Sequence, residues 1–320
     1  MILYKYVSHD AGINILKNGS IGFTQPYHFN DPFEVEASYP STEGSSPIEV
    51  MLNGIRGWAK KSIWKEKTGV LSLTRQPLNP LMWAHYGNEH KGMVVGIDSS
   101  INEFTCEETN FVPIQYGSVI YTNTKPDSPF LSQPTELIKV GDTFHFPKGQ
   151  LERLQRMLLY KPVCWAYEEE VRVAKCLKGI ETNCSIKSGT FTTIDVGGRP
   201  LYLLDLPKGA IKEIYVGARS EFLNADKALD LIKSIRSYQP QVNVYGCKIS
   251  NNSWELDRFE LEAAAKKALQ RTSSFPISFN SSSKSMTWSL SQRTGRLTCN
   301  AKCLLNSSIV GILSDTVSVG

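Results

Sequence analysis

Apolar residues recur along the chain with two periods, and the changes between them mark out its elements. Ile2–Val7 is short, aromatic and β-prone. Residues 11–18 follow with Ile13 and Leu16 on one helical face, Asp10 as the expected N-cap and Gly19 as the stop. A second strand is expected at 21–24, and a helix over 47–64, where Ile48, Met51, Leu52, Ile55 and Trp58 keep helical spacing. Strand-like runs follow at 69–74, Met93–Asp98 and 111–116, and 150–160 reads as a helix with Leu151, Leu154, Met157 and Leu158 on one face. Further strands are expected at 169–176, 201–204, 211–217 and 242–249, and helices at 222–238 and 256–270. Strands and helices mingle without regular βαβ alternation. The pattern therefore predicts an α+β fold with a mixed or antiparallel sheet and flanking helices.

Composition changes this picture at one place. The body carries 28 basic and 30 acidic residues up to residue 262, whereas 263–314 holds seven Lys and Arg and no Asp or Glu. Serines crowd the same region. The division expected is one domain over 1–271, with its core in 1–250, and a basic, Ser-rich, loosely ordered tail over 272–320, in which 304–313 is apolar enough to dock. The net charge of +4 thus reflects the tail and gives no sign that the main domain grips nucleic acid.

Hydrophobic residues at 41% and charged residues at 21% are ordinary globular usage. No apolar run reaches the roughly 18 residues of a membrane span. The seven cysteines are scattered and odd in number, which suits reduced thiols. A cytoplasmic protein without a membrane partner is expected.

Four residue clusters stand out. The first is Leu3-Tyr4-Lys5-Tyr6 leading to Ile15-Leu16-Lys17-Asn18-Gly19, and the second is Phe29-Asn30-Asp31-Pro32-Phe33-Glu34. The third is Met82-Trp83-Ala84-His85-Tyr86-Gly87 with His90-Lys91-Gly92, and the fourth is Trp165-Ala166-Tyr167-Glu168-Glu169-Glu170-Val171-Arg172. Each has a structural reading. Asn and Asp before Pro make turns, Trp and Tyr pack cores, and alternating Glu and Arg decorate solvated strands. Each also suits chemistry. On a strand, Glu168 and Glu170 would share a face, where mutual repulsion raises one pKa.

Order and spacing of the four clusters resemble the bacterial domain-of-unknown-function 2971 family over about residues 1–250. The first and fourth clusters are also similar to ADP-ribosyltransferase domains. Those domains carry a His or Arg on the first strand, where this chain has Lys5, and a catalytic Glu in a Glu-x-Glu strand, matched by Glu168–Glu170. The resemblance implies an ADP-ribosyltransferase-like fold and NAD as substrate. It gives Glu170 the ribose 2′-hydroxyl and the oxocarbenium-like transition state, and Glu168 the acceptor. Ser72 or Tyr86 would lie beside the nicotinamide, with Trp83, His85 and Asn30 near the pocket.

Other chemistries leave weaker traces. His85 and His90 lack metal-ligand spacing, and Cys299 and Cys303 have no histidine partners, so no metal site is expected. Walker, dinucleotide-binding and nucleophile-elbow motifs are absent from the sequence. Three functions remain open at this point. One is transfer of ADP-ribose to a protein or nucleic-acid acceptor, as in a toxin or anti-phage effector. A second is a non-catalytic nucleotide-sensing or protein-binding module of the same fold. The third is a nuclease or hydrolase using Glu168, Glu170 and His85.

Overall fold

The N-terminal strand β1 (Ile2–Val7) lies inside a seven-stranded sheet in the computed structural model, which describes residues 1–38, 46–126, 138–140, 144–146, 151–177, 189–273, 287–290 and 297–300. After β1 come α1 (His9–Asn18), β2 (Ser20–Phe23), α2 (Pro47–Lys67), β3 (Thr68–Thr74), α3 (Pro80–His85), β4 (Met93–Asp98) and α4 (Asn102–Thr105). The middle of the chain holds β5 (Ile120–Tyr121), β6 (Ile138–Val140), β7 (Phe144–Phe146), α5 (Leu151–Leu159) and β8 (Tyr160–Lys161). Then follow β9 (Glu170–Cys176), β10 (Thr192–Asp195), β11 (Pro200–Asp205), β12 (Ile211–Val216), α6 (Ala225–Tyr238), β13 (Asn243–Ile249), β14 (Leu256–Glu260) and α7 (Leu261–Ser273).

The chain divides into two units, Met1–Thr272 and Ser273–Gly320. In the second, β15 (Thr287–Leu290) pairs antiparallel with β16 (Leu297–Asn300). The apolar run 304–313 lies outside the described residues. Among the described residues, no helix is long and apolar enough to cross a membrane.

The large sheet runs β14-β13-β12-β4-β1-β3-β9, and β10-β11-β2 forms a smaller one. Within the large sheet β12 and β13 pair parallel, which requires a crossover, and α6 supplies it. The other pairs are antiparallel, so the fold is α+β with a mixed sheet. Leu3, Leu71, Leu73, Ile97 and Val173 pack with Leu16 of α1 and Ile232 and Ile235 of α6 in one core. Two smaller clusters, one around Trp83, Val94 and Tyr215 and the other around Phe111, Met157 and Ala174, complete the interior.

One irregularity opens the large sheet. β1 and β4 pair along their whole length, as do β3 and β9, but β1 and β3 meet only at Tyr4 and Thr74. Four residues earlier, Val70 of β3 exchanges both backbone hydrogen bonds with Thr24, at 2.9 Å each. Thus β3 changes partner between Thr74 and Val70, leaving its Ser72 edge without a backbone neighbour. Side chains from β1 serve instead: the Lys5 amine donates to the Ser72 carbonyl at 2.9 Å, and the Tyr6 hydroxyl donates to the Gln76 carbonyl at 2.7 Å.

Several local expectations are corrected. The α1 cap is Ser8, whose side chain accepts from Ala11 N–H, while Asp10 lies in the first turn, where a carboxylate favours the helix dipole. Residues 111–116 form a single bridge at Val112 and a 3-10 turn over Ile114–Tyr116 instead of a strand. Within 256–270, the first five residues extend the sheet edge as β14, and only Leu261 onward is helical. The 222–238 helix begins at Ala225, after a 3-10 turn. α2 forms behind a Ser46–Glu49 capping box with Pro47 in its first turn. Its Ile48, Met51, Leu52, Ile55 and Trp58 are nevertheless exposed, and Lys61 and Lys65 tie the helix to Glu36.

Two glycines separate steric need from tolerance. A Cβ on Gly117 would stand 2.0 Å from the carbonyl oxygen of Arg172, which is β9 backbone, whereas one on Gly54 in α2 meets nothing within 4 Å. Gly117→Ala should destabilise the protein by about 1–3 kcal/mol through overpacking. Gly54→Ala should stabilise it by about 0.5–1 kcal/mol through helix propensity. Denaturant unfolding of both variants checks the opposite signs.

Candidate functional site

A cavity of about 1020 Å³ opens where β3 changes partner, at the upper end of the size of small-molecule sites. Tyr4, Lys5 and Tyr6 of β1 and Val70, Ser72 and Thr74 of β3 form its floor. The 28–34 loop, Tyr86 after α3, Trp165 and Glu168 of a 3-10 turn, Glu170 of β9 and the β10–β11 hairpin form its walls.

Five charged side chains meet at the inner end. Lys161 places its amine 3.1 Å from Glu34 Oε1, 2.5 Å from Glu168 Oε2 and 3.0 Å from Glu170 Oε2. Arg172 donates from Nε to Glu170 Oε1 at 2.7 Å and from Nη2 to Glu170 Oε2 at 2.9 Å, and its Nη2 also reaches Glu34. Its Nη1 donates to the Leu158 carbonyl at 2.7 Å, and the Phe29 ring lies 5.4 Å from the guanidinium. Arg172 and Glu170 are buried, so the structural alternative, in which this alternation decorates a solvated strand, fails.

Local backbone geometry aims the carboxylates. Glu168 ends a 3-10 turn, Glu169 takes a left-handed conformation at φ 42°, and Glu170 begins β9. The two glutamates therefore face one cavity through a kink, not through the strand alternation that the sequence suggests. Thr74 donates to the Glu168 carbonyl at 2.5 Å, and Glu170 N–H donates to the Tyr121 hydroxyl at 2.8 Å. Glu34 precedes Val35, a buried β-branched residue at φ 57°, a conformation that costs on the order of 1–3 kcal/mol. In the same loop Asp31 caps its own turn through Phe33 N–H and accepts from Trp165 Nε1–H at 2.9 Å.

The environment separates the two glutamates. Burial raises the Glu168 carboxyl and outweighs the nearby Lys161, while Tyr86 donates to its Oε1 at 2.7 Å. Burial would raise Glu170 as well, but Arg172 and Lys161 together hold it far below the usual carboxylate range. Burial lowers the Lys5 amine, an effect that Glu170 and Glu168 only partly offset. The Tyr86 phenol is pushed up by burial and by Glu168, so it stays a hydrogen-bond donor.

Of the residues singled out in the sequence, Lys5, Asn30, Ser72, Tyr86, Glu168 and Glu170 line this cavity. Trp83 and His85 do not. Trp83 is fully buried in the cluster with Val94 and Tyr215, donates Nε1–H to the Pro77 carbonyl at 3.0 Å and packs edge-on against Tyr6. His85, the last residue of α3, is turned outward beside Tyr86 and Tyr167. Sequence reasoning missed Lys161, whose neighbours Tyr160 and Pro162 carry no pattern, and it gave Arg172 no role in the site. Glu34 stood in a noted cluster without a role. Among the described residues, no group of three His, Cys, Asp or Glu is placed to hold a metal ion.

The ion cluster sets two expectations. Arg172→Met would leave the buried Glu170 and the partly buried Glu34 beside a single amine, and truncating one member of a buried pair costs about 3–5 kcal/mol; equilibrium unfolding measures it. Glu170 has a folded pKa below its ordinary 4.5, so its stabilisation is fully present above that pH and is lost as pH falls through the depressed value. The stability gap between wild type and Glu170→Gln should therefore shrink below about pH 4.5, as pH-dependent unfolding curves would show.

No curated protein and no solved structure matches this chain. One family model does match, over residues 82–173, a span that holds Tyr86, Lys161, Glu168, Glu170 and Arg172 but neither Lys5 nor Ser72, and its description is "Protein of unknown function (DUF2971)".

Proposed function

We propose that this protein is an NAD-dependent ADP-ribosyltransferase-like enzyme that modifies a macromolecule, as a toxin or an anti-phage defence effector does. One observation carries the reading: Lys5 on β1, Ser72 on β3 and Glu170 on β9 come from three consecutive strands of the sheet and line a single cavity. That residues as far apart as 165 positions in sequence line one cavity supports the reading.

The chemistry follows from the charges. Cleavage of the glycosidic bond sends its electron pair to the nicotinamide ring nitrogen and leaves positive charge on the ribose anomeric carbon. Glu170, kept ionised by Arg172 and Lys161, accepts a hydrogen bond from the ribose 2′-hydroxyl and stabilises that charge. A carboxylate offers about four acceptor sites; Arg172 and Lys161 take three and the Ser72 hydroxyl also bonds the carboxyl, so the ribose hydroxyl would take the place of Ser72. Glu168, whose raised pKa suits proton transfer, takes the proton of the attacking acceptor. Tyr86 orients Glu168 and presents an aromatic face to the nicotinamide.

A second reading has an observation of its own. Both Glu170 oxygens are already bound by cations, which suits a non-catalytic nucleotide-sensing or protein-binding module of the same fold. The nuclease or hydrolase reading is weaker, because His85 lies outside the cavity that holds Glu168 and Glu170.

Nicotinamide release decides between them. Purified protein should release nicotinamide from NAD, alone or with protein, DNA or RNA acceptors, and Glu170→Gln should slow release by about 100-fold or more. The comparison is made below the unfolding temperature of both proteins, with circular dichroism as the check on folding. Glu168→Gln should impair transfer more than simple hydrolysis. Absence of release under every condition, or equal rates for Glu170→Gln and wild type, would leave the binding-module reading in its place.

A further inference from the structure

The cavity's inner end has no cation to spare. Lys161 and Arg172 satisfy Glu34, Glu168 and Glu170. Asp31 accepts from Trp165, and the Lys5 amine is held by the Ser72 carbonyl. One cation on the cavity wall stands apart. Among the described residues, the Arg199 guanidinium has neither a carboxylate nor a hydrogen-bond partner.

Its position is fixed by its backbone. Arg199 closes the turn between β10 and β11, where Val196 and Arg199 exchange backbone hydrogen bonds at 2.9 and 3.3 Å. Gly197 and Gly198 occupy the two central positions at φ 62° and 78°, the geometry that matches strand twist in a two-residue hairpin. The Asp195 side chain accepts from Gly198 N–H at 2.9 Å, and Pro200 follows directly. Arg199 is thus an exposed arginine on a stiff turn, in the wall that faces the β1 and β3 floor.

We propose that Arg199 is the anion anchor of this cavity and binds the pyrophosphate of an ADP-ribose-containing ligand. The identity of the ligand's reactive end rests on the transferase reading above; the anchoring of its phosphates does not. A pyrophosphate diester brings two negative charges to a site whose two buried cations are already taken up by three carboxylates, so it needs a cation from outside that set. Lys5 cannot serve, because its amine is committed to a backbone carbonyl and burial disfavours its charge. A guanidinium bridges two phosphate oxygens with parallel hydrogen bonds and stays charged at any working pH. The ligand then lies across the cavity, with its phosphates at the β10–β11 hairpin and its far end at Glu168 and Glu170.

The test compares the full-length wild type with Arg199→Ala and Arg199→Lys by calorimetric titration with ADP-ribose, ADP and adenosine at one fixed salt concentration. Arg199→Ala should weaken ADP and ADP-ribose by about tenfold or more, the size of a lost charge-assisted hydrogen bond, and leave adenosine unchanged. Arg199→Lys should fall between, since an ammonium keeps the charge and loses the fork. In a wild type that releases nicotinamide, Arg199→Ala should raise KM for NAD and leave kcat near its original value. Binding of ADP that depends on Arg199 without nicotinamide release sustains the anchor and removes the transferase reading. Nicotinamide release with an unchanged KM in Arg199→Ala does the reverse. Equal ADP binding by wild type and Arg199→Ala overturns the anchor, as does a loss of adenosine binding to match or a wild type that binds neither ADP nor ADP-ribose.

Discussion

Lys161 and Arg172 are both buried, and a buried cation is tolerable only when carboxylates surround it. Those carboxylates come from distant places in the chain. Glu34 arrives from the loop after β2, Glu168 from a 3-10 turn and Glu170 from β9, while Leu158 at the end of α5 lends a carbonyl. Each segment must sit correctly or leave a charge unpaired in the interior. The cluster therefore ties together distant parts of the chain that also meet in the apolar cluster of Val35, Leu158 and Ala174, and the backbone at Val35 and Glu169 is left-handed at its edges. Strain of this kind persists only where the surrounding contacts over-determine it.

The same cluster creates inequality between chemically identical groups. Glu168 and Glu170 share the Lys161 amine, yet only Glu170 also has the Arg172 fork. One carboxyl is held as an anion and the other is brought towards protonation. Two acidic groups with divergent proton affinities in one cavity are a common basis for acid and base roles, whatever the substrate.

Element positions were largely legible because periodicity reports burial. Met93–Asp98 emerges as a strand with the bounds that the pattern predicts, and Gly19 ends α1 in the left-handed conformation typical of such stops. The failures have physical causes. Leu256 to Glu260 looks helical next to the sequence of α7, but an exposed sheet edge on β13 was available and recruited it. Residues 111–116 have strand composition, yet only Val112 bridges β9 before the chain turns over Ile114–Tyr116, and it meets β9 again where Arg172 N–H donates to the Gly117 carbonyl. In the cavity, the acidic residues advertise themselves through a dense motif, whereas Lys161 and Arg199 are isolated basic residues whose surroundings are set only by tertiary placement. Trp83 and His85 illustrate the converse limit, since helical position decided which way they point and no motif could.

The change of partner along β3 has a mechanical side. Where β1 and β3 part, no backbone ladder sets their separation, and the span is bridged by the Lys5 amine on the Ser72 carbonyl and the Tyr6 hydroxyl on the Gln76 carbonyl. The width of the opening is consequently measured out by side chains, the four-carbon stem of Lys5 and the phenol ring of Tyr6. A sheet built this way has a gauge: residues that act as spacers decide how wide a ligand the gap admits, while the paired strands on either side stay rigid. Lys5 is then as much a strut as a charge, and the length of its side chain is itself part of the shape of the site.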